Sequence, residues 1–424
     1  MKRSLYTLGV RAYALAIRLA SPWRSKARAW VQGRRNWRLQ WASLRQSEAE
    51  RWVWFHCASL GEFEQGRNLI DAIEAQHPEL RLLVTFFSPS GYQIRHHYPR
   101  ADAVHYLPVD TPAAASYLVA QLRPELVFWI KYELWVNVLQ ELQRQQVPVL
   151  LVAARMDADS AFLQGPLAPL YAEVLRGMRH VFTQDEATRQ RLLPLLGEER
   201  VTVSADTRFD RVLANRETWT PRPEVEAFLA GRTCLMGGSV WPPGEELLHQ
   251  AFRRLREQHD LCLILAPHDI HPERIARWEA RFPGECLRYS QLEQLEANHR
   301  ILWIDNVGML AQLYHYADVA YVGGGWGSGL HNILEPAAFG CPVVFGPKHQ
   351  KFAEAADLIA AGGAQSIANQ AELDTCLQGW LSNPGERARV GQCSRNFVEE
   401  RAGATKLILQ WCYQQRLLPP SGSA

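Results

Sequence analysis

Short apolar runs alternating with helical stretches, in a series that stops and then starts again, leave this 424-residue chain few ways to fold. The first series falls at 52–56, 82–87, 104–107, 126–130, 149–153, 180–183 and 201–203. Helix-forming stretches lie between the runs, for example at 64–76 and 137–145. Strands that are apolar on consecutive residues need cover on both faces, which a parallel sheet between two layers of helices provides. The segment 215–231 (NRETWTPRPEVEAFLAG) is polar, holds two prolines and reads as a linker. The pattern then restarts at 234–237, 262–266, 301–304, 319–322 and 342–345. The expected class is therefore α/β: a basic segment 1–45, a first domain 46–214, a linker 215–232 and a second domain 233–424, each domain with its own parallel sheet.

The formal net charge of +2, from 46 basic and 44 acidic residues, says little until it is split by position. Residues 1–45 carry eleven Lys or Arg and no acid, leaving 35 basic against 44 acidic residues in the remainder. Within this segment SLYTLGVRAYALAIRLASPW is apolar, but Arg11 and Arg18 interrupt it. They share one helical face, while Leu5, Leu8, Ala12, Leu15 and Leu19 share another. A signal peptide needs an unbroken apolar core and a spanning helix about 20 apolar residues, so both are disfavoured. Two readings stay open. One is a helix lying on the cytoplasmic face of an anionic membrane, with Trp23, Trp30, Trp37 and Trp41 at the headgroups. The other is an amphipathic helix packed on the protein's own body. The apolar face would serve no purpose on a nucleic-acid arm, so no nucleic-acid partner is expected. The eight cysteines show neither a C-x-x-C pair nor a zinc spacing and read as reduced, mostly buried small hydrophobes.

Open parallel sheets bind ligands at the carboxyl ends of their strands, so the loops that follow the runs are where chemistry is expected. Run 52–56 leads into Cys57-Ala58-Ser59-Leu60-Gly61-Glu62, and run 126–130 into Lys131-Tyr132-Glu133-Leu134-Trp135. Ser59 and Glu62 have the spacing of a helix capping box, and a carboxylate there also suits a catalytic base; spacing alone leaves both open. In the second half, Ser239 opens the loop after 235–238, and Pro267-His268-Asp269-Ile270-His271 follows 262–266. Two histidines and an acid invite a metal site, but Pro272 and the lack of a third partner at ligand spacing favour a nucleotide-contacting loop, and no metal is expected. The stretch 321–352 reads as a strand at 318–322, a glycine-rich turn at 323–329, a short helix opening near His331 and Asn332, and a strand at 341–345. Its glycines allow positive φ and close backbone approach, as a turn holding a phosphate at a helix N-terminus requires, although plain packing explains such turns as well. The spacing fits neither the dinucleotide fingerprint nor the P-loop. Glu335, one helical turn after His331, is placed to reach a ribose hydroxyl pair.

Taken in order, HCASLGEFEQG (56–66), KYELWVNVL (131–139), AARMDADSA (153–161), ADTRFDRV (205–212), GGSVWPPGEELL (237–248), LAPHDIHPERI (265–275) and VGGGWGSGLHNILEPAAFGCPVVFGP (322–347) resemble the bacterial 3-deoxy-D-manno-octulosonic acid (Kdo) transferases. The resemblance covers nearly the whole chain. It implies a GT-B fold of two Rossmann-like domains facing across a cleft, with the acceptor on the first and the nucleotide on the second. The implied reaction is inverting transfer of Kdo from CMP-Kdo to a lipid A precursor (lipid IVA), with no cofactor beyond the donor. It also implies a peripheral or monotopic place on the cytoplasmic side of the inner membrane. By the same resemblance Glu62 is the general base, and Glu133 and Arg208 stabilise the transition state. Pro267, His268, Asn306, Val307, Gly308, Asn332, Ile333, Leu334 and Glu335 contact the nucleotide. Helix N-terminal amides around Ser239 and His331, with Arg208, would meet the leaving phosphate. Lys131 and Arg155 are open to two readings, contact with acceptor phosphates or plain surface charge. Tyr132 and Val136 stand where many members have Thr and Pro, His268 where an Arg-His pair is frequent, and Arg208 where many have Lys, which exchanges a point donor for a planar fork. The rival readings are a GT-B transferase using a UDP-sugar and a membrane-bound nucleotide-binding protein without catalysis.

Overall fold

The computed structural model describes every residue except 1, 45, 46, 132, 161, 328 and 421–424, so Tyr132 lies outside the described residues. The chain forms two compact units, Met1–Arg211 with Gly403–Ala424, and Val212–Ala402. The first holds β1 (Arg51–Cys57), β2 (Leu80–Phe86), β3 (Ala103–Tyr106), β4 (Leu126–Ile130), β5 (Val149–Ala154), β6 (His180–Thr183) and β7 (Val201–Val203). They pair in parallel in the order β3-β2-β1-β4-β5-β6-β7. β4 (LVFWI) and β5 (VLLVAA) are buried at every residue, as an all-apolar strand inside a covered sheet must be.

The second unit holds β8 (Thr233–Val240), β9 (Leu261–Pro267), β10 (Cys286–Arg288), β11 (Ile301–Trp303), β12 (Val319–Val322), β13 (Val343–Phe345) and β14 (Ala364–Ser366), parallel in the order β10-β11-β9-β8-β12-β13-β14. In each sheet the chain fills one side of its first strand and then the other, β11 inserting between β9 and the edge strand β10 in the second. The reversal falls between β1 and β4 in the first sheet and between β8 and β12 in the second. Loops leaving such a pair diverge, and the crevice they leave is the usual ligand site of the fold.

Three parts of the sequence reading change. β10 and β14 were not anticipated; each has three residues, and the only fully buried one among them is Leu287. The segment 215–231 contains a helix, Pro223–Leu229: the proline pre-sets φ at its start, and Val225 and Phe228, three apart, bury one face in the core of the second unit. The last helix, Ala404–Gln414, places Ile408, Leu409 and Cys412 in the core of the first unit, whereas the sequence pattern assigns everything to residue 424 to the second.

The basic N-terminal segment forms α1 (Lys2–Ala20), α2 (Ser25–Gln32) and α3 (Trp37–Ala42). α1 has two apolar faces. Tyr6 and Ala14 are buried against the first unit, and the Tyr6 hydroxyl donates to Asp110 Oδ2 at 2.7 Å while accepting from the Val136 amide at 3.2 Å. Leu5, Leu8, Leu15 and Leu19 lie on the other face, exposed, and Trp23 beyond the helix is 83% exposed. The helix thus packs on the protein's own body and still presents an apolar stripe. Placing four tryptophans at a membrane surface is corrected for two of them: Trp30 and Trp41 are 4% and 0% exposed, and Trp41 meets Trp54 edge-on at 5.6 Å inside the core. Trp37 is half-buried against Tyr117. No helix among the described residues is long and apolar enough to cross a membrane.

This packing predicts that Trp41→Ala lowers the unfolding free energy by about 3–5 kcal/mol, whereas Trp23→Ala changes it by no more than about 0.5 kcal/mol. Urea unfolding followed by circular dichroism checks both, and equal effects would contradict the burial assignment.

Candidate active site

The first unit gathers its chemistry at the ends of β1 and β4. β1 is buried from Trp52 through Cys57, and the chain turns through Ala58 and an extended Ser59 into α4 (Leu60–Gln76). Ser59 stands at the N-cap but makes no side-chain cap bond. The Glu62 carboxylate, one turn in, reaches back instead, and its Oε2 accepts from the Ala58 amide at 2.6 Å. The S-x-x-E spacing therefore produces half of a capping arrangement displaced by one residue, and it uses one oxygen of Glu62. The side chain is only 5% exposed. Burial, reinforced by the nearby Glu133 carboxylate and opposed by the Ala58 amide and Lys131, pushes the Glu62 carboxyl up to about 8.

Glu133 follows β4 across Lys131, whose φ of 71° is left-handed, an uncommon state for a residue with a side chain. The Glu133 carbonyl accepts from Trp129 Nε1 at 2.8 Å, which secures the loop to the strand below it. Burial raises the Glu133 carboxyl and Lys131 lowers it. Two carboxylates and one ammonium group thus influence one another electrostatically at the topological switch point. Arg155, at the end of the neighbouring β5, makes a long ion pair with Asp157 at 3.9 Å.

Arg208 is tied to the same region through Asp206. Its backbone N–H and its Nε donate to the two Asp206 oxygens at 2.9 and 2.8 Å. Asp206 in turn accepts from Gln65 Nε2 at 3.1 Å, and Gln65 stands one turn along α4 from Glu62. Neither Gln65 nor Asp206 was singled out from the sequence, because 141 residues separate the pair. Another unanticipated support is Arg34. Its buried guanidinium donates to the carbonyls of Leu107 (2.9 Å), Trp30 (3.2 Å) and Phe87 (2.6 Å) and lies over the rings of Trp30, Phe87 and Tyr106. Burial lowers its pKa to about 9, which still leaves it a cation at neutral pH. The Phe87 and Ser88 amides donate to the Ala58 carbonyl, so Arg34 braces the turn that carries Glu62.

In the second unit the ends of β11, β9, β8 and β12 lie side by side. Ser239, at a φ of 50°, marks a bulge between β8 and β9. Trp241 follows; its ring stacks on His268 at 4.1 Å, and its Nε1–H donates to His331 Nε2 at 3.0 Å. His268 and His331 stack at 4.6 Å. Burial, with His268 alongside, lowers His331 to about 4, so its ring is neutral, with the proton on Nδ1 and Nε2 accepting. The helix after Trp241, Pro242–Leu255, opens on Pro242 and Pro243, which bring no N–H, so this N-terminus offers fewer anion donors than the sequence reading supposes.

The glycine turn has a packing reason. A Cβ on Gly323 would stand 2.0 Å from the Ser239 carbonyl oxygen, one on Gly324 2.0 Å from that of Gly329, and one on Gly325 2.7 Å from the Gly346 nitrogen. The His331 and Gly327 amides donate within the turn. The helix that follows begins at Leu334 rather than near His331, and Asn332 Oδ1 accepts from the Leu334 amide at 3.1 Å while its Nδ2 donates to Glu335 Oε1 at 3.1 Å. Ile333 and Leu334 are buried side chains, so they can offer a ligand only backbone. Pro267 ends β9, with His268 next. Asn306, Val307 and Gly308 form an exposed tip after β11, rooted by Asp305, which holds the Ser290 amide and hydroxyl. Among the described residues no three His, Cys, Asp or Glu side chains group as a metal site.

Residues 34–211 match the family of 3-deoxy-D-manno-octulosonic-acid transferases (kdotransferases). The chain is 29% identical to the 3-deoxy-D-manno-octulosonic acid transferase of Bordetella pertussis over 442 residues, covering 96% of this chain and 98% of that protein. It is 28% identical to the transferase of the same name from Chlamydophila psittaci, covering 82% and 81%. In fold it is similar to UDP-GlcNAc 2-epimerase from Neisseria meningitidis (TM-score 0.61, 12% identity, 86% of this chain and all of that one) and to a glycosyltransferase from Rickettsia africae (TM-score 0.55, 12% identity, 88% and all). Both likenesses speak to fold alone.

The charge arrangement around Glu62 makes a directional prediction. Glu133→Gln removes a like charge and moves the Glu62 titration below its value near 8, whereas Lys131→Met removes an opposing one and moves it higher. Carboxyl carbon chemical shifts against pH report both, and a titration unmoved by either change would show that burial acts alone.

Proposed function

We propose that this chain, a glycosyltransferase of the Kdo transferase family, moves Kdo from CMP-Kdo to a lipid A precursor, lipid IVA, in building the lipopolysaccharide core. The observation that carries the reading is the buried Glu62, at a strand-to-helix turn, poised to titrate near neutral pH. A sugar hydroxyl is a poor nucleophile, and a carboxylate raised toward the working pH accepts its proton more readily than an ordinary one. Glu62 Oε2 is engaged by Ala58, which fixes the carboxylate's direction and leaves Oε1 for the incoming hydroxyl. As the hydroxyl oxygen bonds to the anomeric carbon, CMP departs with the bonding pair and its phosphate gains negative charge. Arg208, held by Asp206, is assigned to that charge. Glu133 stabilises positive character at the reacting carbon, and Lys131 keeps the two carboxylates tolerable together. The loops ending β9, β11 and β12 are assigned to the nucleotide. No step calls for a metal or a covalent enzyme intermediate, so a single displacement inverts the anomeric carbon.

The acceptor is a lipid, and the exposed stripe of α1 with Trp23 and the basic residues of 1–45 suits a surface that rests on the anionic cytoplasmic face of the inner membrane. The enzyme would lie on that membrane without spanning it.

Glu62→Ala is expected to lower kcat by about 10²–10⁴-fold while CMP still binds. In the intact enzyme kcat/KM should rise with pH and level off above about 8, as the base becomes ionised, and this limb should vanish in the variant. Transfer assays across pH, with CMP binding by calorimetry, decide it; a variant with full activity would remove Glu62 from the reaction. Leu15→Glu together with Leu19→Glu should release the protein from vesicles containing anionic lipid and leave its unfolding midpoint unchanged. Sedimentation with vesicles reads this, and undiminished binding would place the membrane contact elsewhere.

A further inference from the structure

The first unit contains a cavity of about 850 Å³, and of its lining the chemistry above uses Glu133 alone. Its walls are Tyr13 and Ile17 of α1, Trp30 of α2, Phe87 after β2 and Trp135 after β4, and Glu133 reaches its lining. The aromatic rings brace one another: Phe87 lies 4.2 Å from Trp135 and 5.8 Å from Trp30. The size lies in the range of about 300–1,000 Å³ in which small ligands are held. The lining surface is chiefly apolar, which suits a hydrocarbon, and the charged side chains of Arg24, Lys26 and Glu133 also belong to it.

We propose that this cavity takes one acyl chain of the lipid acceptor and so selects acceptors by acyl length. The inference rests on the acceptor being a lipid, as argued above, and adds where one chain goes. Three observations point to that occupant. Glu133 belongs both to the cavity lining and to the carboxylate pair with Glu62, so a chain seated in the cavity delivers its polar head to the catalytic cluster. Arg24 and Lys26 also line the cavity, and they supply cations suited to the phosphates of a lipid headgroup. The helix that walls the cavity with its inner face carries the exposed Leu5, Leu8, Leu15 and Leu19 on its outer one. A chain leaving a bilayer touched by the outer face has an apolar surface to follow.

The test measures kcat/KM for Kdo transfer from CMP-Kdo to tetra-acylated acceptors of graded chain length and to a fully deacylated disaccharide bisphosphate, all at one fixed vesicle composition. For the intact enzyme, shortening the chains by two methylenes should lower kcat/KM by roughly tenfold. Ala27→Phe fills the cavity from α2, and Ala16→Trp fills it from the exposed lip on α1; both residues line it. Each should shift the ratio of long-chain to short-chain kcat/KM at least tenfold toward the shorter acceptor, with vesicle binding and unfolding midpoint as in the intact protein. If the intact enzyme transfers Kdo and the ratio is the same in all three proteins, the acyl site is overturned while the transferase reading stands. If the intact enzyme transfers Kdo to none of the acceptors, the transferase reading itself fails.

Discussion

Two carboxylates shielded from solvent, with the charge of Glu133 adding to the cost of ionising Glu62, define the candidate site of the first unit. Glu62 and Glu133 come from the ends of β1 and β4, the neighbouring strands between which the sheet reverses its order. Like charges so placed repel, and burial adds to the cost of ionising either group. The surrounding structure offsets this with Lys131 from the same loop and with the Ala58 amide on Glu62. The arrangement depends on backbone held in place from below. Lys131 stays in a left-handed conformation, and the Ala58 turn is held by the Phe87 and Ser88 amides, which Arg34 steadies through the Phe87 carbonyl. Burying a guanidinium is costly unless its N–H groups are met, and here three carbonyls and three aromatic faces meet them.

The second unit is built on close approach. Gly323, Gly324 and Gly325 sit where a side chain would strike the backbone of a neighbouring segment, which brings the end of β12 against the bulge at Ser239. That approach sets the stack of Trp241, His268 and His331 in place, with one indole–imidazole hydrogen bond fixing the tautomer of His331. The three rings come from the ends of three strands, and together they form an aromatic surface beside the glycine turn. Such a surface is suited to a planar or partly planar ligand.

Much of this was legible in the sequence, and what was not has identifiable causes. Runs such as LVFWI at 126–130 and HVFT at 180–183 announce strands at their true bounds because every residue is buried. The three-residue edge strands β10 and β14 lack that signal, having almost no fully buried residues. Glu62 stood out because the capping spacing is local, and the Ala58 amide occupies only one of its carboxylate oxygens, so the capping bond does not conflict with the role proposed for the other. Asp206 and Gln65 did not, since only the folded chain brings them together. The tryptophans of the basic segment show the limit of composition: Trp30 and Trp41 fill the core, and Trp23 alone of the four is well exposed. The polar look of 215–231 concealed Val225 and Phe228, two apolar residues being enough to anchor a short helix.

The proposed reaction requires Glu62 to act as a base toward the acceptor hydroxyl rather than as a nucleophile toward the donor. With a second carboxylate nearby, a double displacement through a covalent sugar–enzyme ester is the chemical alternative. The configuration of the new glycosidic bond relative to CMP-Kdo separates the two, read by NMR on product from a single round of transfer. Inversion at the anomeric carbon is the predicted result. Retention would contradict it and would make one of the two carboxylates the attacking group.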